Sequence, residues 1–394
     1  MRKVSSLDLR PTVARFPGGK ARFATALLLA GVTVVQAGQY GDFLYRLSGE
    51  HATITGYQGS GTEVVIPESI EGYPVTEIGD WAFWQCESLT NLFIPGFVTR
   101  IGVGSFKACT GLVRVTLRAG LKTIGDSVFS DCTKLGSMTI PDTATSLGKG
   151  AFEACTSLTS VWMAAGIRTI EPGTFAGCSS LTSVTVPEGI TRIGSRAFEG
   201  CTGLTRVTIP DSVRSLDTGA FRGCTKLTSL TMPTGIPSVP PEAFAGCSSL
   251  TTVTFPARVT MIASRAFACC NSLASVYFEA GVPGCQSDAF ECSNAVVIYV
   301  RPGFGGWGLT VAGRPTALWI PLSLGELTKP LSAPLRLCSG SPAPAGFRVQ
   351  RCTNLRDWED WQTVSRTDGP GELNDPDVSV SPYRFYRVVE VDGE

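Results

Sequence analysis

The sequence predicts a β-rich solenoid of about ten 23-residue repeats that share a parallel sheet, followed by a small antiparallel β-sandwich module. Three observations carry this prediction. A phenylalanine recurs at a fixed period, a cysteine and a leucine follow it at fixed offsets, and the pattern stops after residue 302. The phenylalanines, each 23 residues after the last, are Phe83, Phe106, Phe129, Phe152, Phe175, Phe198, Phe221, Phe244, Phe267 and Phe290.

Each repeat is predicted to form one short strand and a tight return. Pro187 ends the strand of the unit 178–200, because proline has no N–H for a continuing ladder. A single unit of this length cannot bury its own apolar residues, so neighbouring units must stack in register. The inward-facing positions of this unit are Leu181, Val184, Val186, Ile190, Ile193 and Phe198.

The N-terminal residues 1–37 are predicted to be a cleaved signal peptide. Six basic residues precede the apolar run 23–35, and Ala37 offers a small residue at the cleavage position. A membrane anchor is the alternative, but the apolar run of 13 residues is short for a bilayer. Removing six basic residues and one acidic residue from the 33 of each leaves a net charge of −5, which disfavours nucleic acid and anionic lipid as partners.

The remaining chain divides into a predicted N-terminal cap, the repeat array, a linker and a C-terminal β module. The first repeat carries five extra residues in its return, and VVIYVRP (296–302) supplies a closing strand. The module is predicted from short runs that alternate apolar and polar residues between turn sequences. The segments are 38–62 for the cap, 63–302 for the solenoid, 303–346 for the linker and 347–394 for the module.

The repeat resembles the bacterial BspA-like class of leucine-rich repeats. LTRVTIPDSVRSLDTGAFRGC (204–224) matches the motif of that class nearly throughout, and residues 55–83 resemble the usual beginning of such an array. The resemblance covers roughly residues 40–300. It implies a leucine-rich-repeat solenoid in a secreted or surface protein that serves adhesion and binding, and it implies no catalytic activity.

The 14 cysteines fall into a regular set and four others. Nine stand three residues after a repeat phenylalanine, and Cys292 is expected to join them if one residue is deleted from the last repeat. We expect this ladder to be a column of free, buried, small hydrophobic residues. Parallel, identically oriented side chains are poorly placed for disulfides. The other four are expected to pair as Cys269–Cys285 and Cys338–Cys352.

No catalytic, cofactor-binding or metal-binding residues are predicted. The single histidine, His51, is interpreted as a polar cap residue, because no nucleophile motif accompanies it. Zinc spacings and phosphate-binding loops are missing from the sequence. A pair of carboxylates could still serve a carbohydrate-active enzyme without histidine.

Candidate binding residues come from the two outward-facing positions of each strand. The second of these positions is threonine in six of nine repeats, as expected on a solvent-facing sheet. Aromatic and arginine side chains that interrupt the Ser/Thr pattern are of the types enriched in binding hot spots. Docking of the flanking segments and drift of the repeat are the alternatives. The candidates are Phe93, Arg114, Trp162, Arg206 and Tyr277.

These patterns favour a non-catalytic binding or adhesion protein, secreted or on the cell surface, with an extracellular protein or glycan as its partner. No nucleic acid, cofactor or membrane insertion after signal cleavage is expected. A structural spacer or envelope component is the alternative, and a carboxylate-dependent carbohydrate-active enzyme is the weakest hypothesis.

Overall fold

The computed structural model describes residues 36–281, 283–300 and 310–318 together with five strand segments further on, and it is a β-solenoid. The five segments are 335–336, 346–352, 359–365, 372–373 and 385–390. Three antiparallel strands open the fold: β1 (Gln36–Tyr40), β2 (Phe43–Ser48) and β3 (His51–Tyr57). The predicted cleavage after Ala37 would fall within β1.

One strand per coil forms the main sheet, as the repeat predicts. Consecutive strands run parallel and in register, so that Val184 lies opposite Val207 and Val207 opposite Leu230. The strands are β4 (Glu63–Val65), β7 (Asn91–Ile94), β9 (Arg114–Leu117), β11 (Ser137–Thr139), β13 (Ser160–Trp162), β15 (Ser183–Thr185), β17 (Arg206–Thr208), β19 (Ser229–Thr231), β21 (Thr252–Phe255), β23 (Ser275–Phe278) and β25 (Val297–Val300).

The return of each coil contains a second short strand that the sequence did not reveal. In the first coil, β5 (Ser69–Ile70) and β6 (Tyr73–Ile78) form a hairpin that accommodates the five extra residues. The two-residue strands of later coils pair parallel to one another. They are β8 (Arg100–Ile101), β10 (Thr123–Ile124), β12 (Ser146–Leu147), β14 (Thr169–Ile170), β16 (Arg192–Ile193), β18 (Ser215–Leu216), β20 (Ser238–Val239), β22 (Met261–Ile262) and β24 (Gly284–Cys285).

Strands continue the main sheet past the last repeat. Within the predicted linker, β27 (Arg314–Leu318) pairs parallel with β25, and antiparallel strands follow it in the order β27-β32-β29-β30. The sandwich and the segment boundaries stay predictions. The remaining strands are β26 (Thr310–Val311), β28 (Leu335–Arg336), β29 (Gly346–Cys352), β30 (Glu359–Ser365), β31 (Glu372–Leu373) and β32 (Phe385–Glu390).

The repeat phenylalanines form a continuous buried stack along the interior. Neighbouring ring centroids lie 4.8–5.7 Å apart, and the ring planes are inclined by no more than 23°. Tyr57 of the cap stacks on Phe83 at 5.0 Å and covers the N-terminal end. Apolar stacking of this kind gains little in a single coil, which explains why the repeats fold as an array.

The ladder cysteines are buried free thiols, and the structure shows why the position holds cysteine. Each thiol from Cys109 to Cys270 donates to the backbone carbonyl oxygen of a phenylalanine 26 residues earlier, at Sγ–O distances of 3.1–3.3 Å. The thiol therefore fills a small apolar space and satisfies a buried acceptor. Burial raises the pKa of the Cys109 thiol to about 12, and likewise that of Cys178. The buried thiols stay protonated and unreactive at neutral pH.

Two expectations about cysteines are wrong. Cys292 does not join the ladder, because no residue is deleted. Ser293 occupies the ladder position, and its hydroxyl donates to the Phe267 carbonyl oxygen at 2.8 Å. Cys292 is exposed instead. Cys269 and Cys285 are both free, and Cys269 contacts Cys292. The expected pair Cys338–Cys352 lies outside the residues whose side chains are described.

Candidate functional site

The main sheet presents its two outward positions as two parallel columns on one face of the solenoid. Alternate side chains of a strand point to opposite sides, so Val161 is buried while Ser160 and Trp162 on either side of it are exposed. In-register pairing aligns these exposed positions from coil to coil, as Ser137 with Ser160 and Thr139 with Trp162. The result is a flat face of Ser and Thr hydroxyls with a few larger side chains.

Trp162 is the most exposed aromatic side chain among the described residues, with 61% of its surface accessible. It lies on β13, while Arg114 lies two strands before it on β9 and Arg206 two strands after it on β17. Both arginines are exposed. Since neighbouring strands lie about 4.8 Å apart, each arginine strand is roughly 10 Å from that of the tryptophan. The three residues form the arrangement that we call the Trp162 face.

Phe93 lies at the N-terminal end of the same face. Its half-buried ring is covered by the guanidinium of Arg118, whose central carbon is 5.5 Å from the ring centroid, a cation–π contact. Arg114 is on the neighbouring strand, directly opposite Asn91. Val65, which lies opposite Phe93 and is 65% exposed, extends this apolar end of the face.

Tyr277 is not brought together with the other candidates. Its strand, β23, lies five strands beyond that of Trp162, and its half-buried ring stacks on Tyr299 of β25 at 4.8 Å. This contact joins the last coils of the array. Tyr277 therefore lies where the solenoid meets the strands that continue the sheet.

A second exposed aromatic pair was missed by the sequence reasoning. Trp81 and Trp84 of the first coil are each about half exposed, and their ring centroids lie 6.3 Å apart in an edge-to-face arrangement. The Trp81 ring lies over Gly104 of the next coil, where an added Cβ would come within 2.4 Å of it. The signal that could have found this pair is a comparison of turn positions between repeats, parallel to the comparison of strand positions.

Charged residues meet in a shallow groove of about 540 Å³ on the turn side of the central coils. The groove is open where Gly150 and Gly173 carry no side chain. Its carboxylates are already engaged: Asp126 accepts a bond from the Lys149 N–H at 2.8 Å, and Glu199 lies 3.6 Å from Arg196. The groove thus offers mixed charge held by the solenoid itself.

Two further searches concern metals and membranes. In the described part of the chain, no three His, Cys, Asp or Glu side chains are grouped so as to hold a metal ion. His51, the first residue of β3, is exposed. Over the same residues, no helix has the length and apolar character needed to cross a membrane.

Comparison with known proteins agrees with the geometry. The sequence model of the BspA type leucine rich repeat region matches in six copies over residues 76–201 and 168–297, which together make up more than half of the chain. The chain belongs to the BspA-type leucine-rich repeat family. No curated protein matches it.

Solved structures of other leucine-rich repeat proteins resemble this family member. A leucine-rich repeat protein of T. pallidum is 34% identical, with a TM-score of 0.47 over 49% of this chain and 92% of that one. A leucine rich cell surface protein of Faecalibacterium prausnitzii A2-165 is 26% identical, with a TM-score of 0.35 over 67% and 94%. A leucine-rich repeat protein of Bacteroides ovatus is 21% identical, with a TM-score of 0.50 over 72% and 88%, and shows the shared fold alone.

Proposed function

We propose that this BspA-type protein is a non-catalytic binding protein, secreted or on the cell surface, that holds an extracellular protein or glycan on the Trp162 face. The observation that carries the proposal is the 61% exposure of Trp162 at a strand position where the fold requires only threonine. Nothing in the described part of the chain covers this ring. A large apolar side chain left in water at the centre of a rigid sheet is typical of a binding hot spot.

The energetics of the face suit binding of a partner. An aromatic side chain buries about 150–250 Å² when fully covered, so covering the exposed part of Trp162 contributes about 2–4 kcal/mol. Arg114 and Arg206 can each form paired hydrogen bonds with a carboxylate or sulfate of the partner. The intervening hydroxyls of Ser160 and Thr185 are exposed donors and acceptors. The rigid solenoid holds these groups in place, which limits the entropy lost on binding.

Substitution of Trp162 tests the proposal. The full chain is immobilised, and its binding to panels of extracellular proteins and of glycans is measured. Against the bound panel member, we expect Trp162→Ala to lose about 2 kcal/mol of binding free energy, or roughly thirtyfold in Kd. Thr231→Ala is the matched control, because Thr231 is exposed in the same column. We expect this control to bind as the wild type does.

The outcomes separate the hypotheses. A bound protein or a bound glycan establishes the class of partner. If Trp162→Ala binds as tightly as Thr231→Ala while both variants stay folded, the Trp162 face is not the site. If neither panel yields a ligand, the structural spacer becomes the better hypothesis.

A further inference from the structure

Two cysteines occupy consecutive places in a column that the repeat otherwise fills with other residues. The position two residues after each stacked phenylalanine has a positive φ in all ten coils, between 55° and 74°. This backbone conformation favours glycine. Cysteine takes the place only in the last two coils. The column reads Gln85, Ala108, Asp131, Ala154, Gly177, Gly200, Gly223, Gly246, Cys269 and Cys292.

The solenoid brings these two thiols into contact at its surface. The Cys269 N–H donates to the carbonyl oxygen of Glu291 at 2.7 Å, which fixes the two turns side by side. The Cys269 thiol hydrogen-bonds to Cys292, and this contact, followed by partial burial, raises the pKa of Cys269. Cys292 is exposed and Cys269 is partly exposed, so a reagent in solution can reach the pair.

This pair differs from the ladder in the freedom of its side chains. Every ladder thiol is held by its bond to a phenylalanine carbonyl oxygen, as Cys270 is to Phe244 at 3.2 Å. Cys269 and Cys292 project from turns and are not buried, so their χ1 angles can adjust. Coils stacked about 4.8 Å apart place the two Cα atoms within the 4.4–6.8 Å range of disulfides. The ion pair of Arg265 and Glu291, 3.1 Å between Nε and Oε2, holds the same two coils together.

We infer that Cys269 and Cys292 form a redox-active dithiol that is oxidised to a disulfide between the last two coils of the array. The oxidant that this step requires is a reactive disulfide, carried by a thiol–disulfide oxidoreductase or a small molecule. The exposed Cys292 loses its proton, and the thiolate attacks one sulfur of the oxidant, expelling the other sulfur as a thiolate. Cys269 then loses its proton and attacks the Cys292 sulfur. The second oxidant sulfur leaves, so that the oxidant is reduced to two thiols, which take up the two protons.

The disulfide would act as a staple at the C-terminal end of the repeats. It closes a loop of one complete coil, and it does so where the array joins the strands that continue the sheet. End coils of a solenoid have a neighbouring repeat on only one side and open more readily than central coils. Oxidation therefore protects the last two coils, and reduction releases them.

Peptide mapping of the folded full chain tests the inference. The protein is treated with oxidised glutathione, its free thiols are alkylated after unfolding, and it is digested with trypsin and Glu-C without reduction. Cleavage after Arg265, Glu279 and Glu291 separates three fragments. One carries Cys269 and Cys270, the second carries Cys285, and the third begins at Cys292. We expect the first and third to be joined by a bond that reduction breaks.

Single variants assign the bond and set the outcomes. Cys269→Ser and Cys292→Ser should each abolish the cross-link, whereas Cys285→Ser should leave it intact. A cross-link that survives Cys269→Ser overturns the inference, as does one that contains the Cys285 fragment. Complete alkylation of Cys292, or glutathione retained on it, overturns the inference too.

Discussion

Two columns of side chains run the length of the solenoid, and they differ in what they tolerate. The interior column holds phenylalanine in all ten repeats, whereas the second outward strand position holds threonine, phenylalanine, tryptophan or tyrosine. Each interior ring packs between rings of two neighbouring coils, so its shape is dictated by both. An outward side chain such as Trp162 meets mainly water. Departures from the repeat are therefore excluded by packing inside the solenoid and are free to serve binding outside it.

The largest expected effect concerns the buried thiols beside the interior stack. Burial raises the pKa of Cys109 and Cys178 from the usual 9.0 to about 12. Because the unfolded thiols ionise first, their stabilising contribution is complete below pH 9 and is lost as the pH rises from 9 towards 12. Each such thiol costs about 1.4 kcal/mol per pH unit in that window, and several act together. Urea unfolding followed at pH 7.5, 9 and 10 should show a steep loss of stability.

A single substitution checks that the ladder causes this loss. Cys178→Ser keeps a hydroxyl donor for the Phe152 carbonyl oxygen, as Ser293 does naturally for Phe267, but removes one ionisable group. The slope of unfolding free energy against pH should become shallower by about 1.4 kcal/mol per pH unit. An unchanged slope would mean that other groups control the alkaline transition.

Truncation of one stacked ring is expected to have the next largest effect. Phe198→Ala removes a fully buried ring that lies 5.3 Å from Phe175 and 5.1 Å from Phe221. The cavity left between rigid coils should cost about 3–5 kcal/mol of unfolding free energy. Urea unfolding at neutral pH measures this cost. A loss below about 1 kcal/mol would show that the coils collapse around the gap and that the stack is less rigid than the columns suggest.

The smallest expected effect belongs to the outward column. Trp162→Thr restores the residue of most other repeats at an exposed site, so the free energy of unfolding should change by about 0.5 kcal/mol or less. The same urea experiment provides the measurement, with Phe198→Ala as the contrasting variant. A large destabilisation would indicate that Trp162 packs against another part of the chain and would weaken its role in binding.

The sequence predicted the interior better than the surface. Stacked coils must repeat the same contacts, and for this reason the 23-residue period alone places Leu181, Val184 and Phe198 in the core, where all three are buried. Cys292 shows where pattern matching misled: pairing cysteine with cysteine required a deletion that would have broken the bonds between neighbouring coils. The chain keeps its register instead, and the Ser293 hydroxyl takes the ladder position.

Other features depended on distances that spacing does not give. The two-residue strands of the returns are too short to show a periodic pattern. Trp81 and Trp84 were hidden in an irregular first coil, although a comparison of turn positions would have exposed them. For the candidate site, the sequence proposed five residues on one face but could not show that the Phe93 ring lies under Arg118 or that Tyr277 stacks on Tyr299.

The sequence by itself determined the repeat, the residues that face the core and the outward columns, because a period of 23 imposes one environment on each position. Only the tertiary structure decided which side chains of neighbouring coils meet. It placed Arg114 and Arg206 on either side of Trp162, and it brought Cys269 against Cys292, 23 residues away in the chain. The physical reason is that contacts between coils depend on how far the units advance and turn as they stack, and that geometry belongs to the folded array.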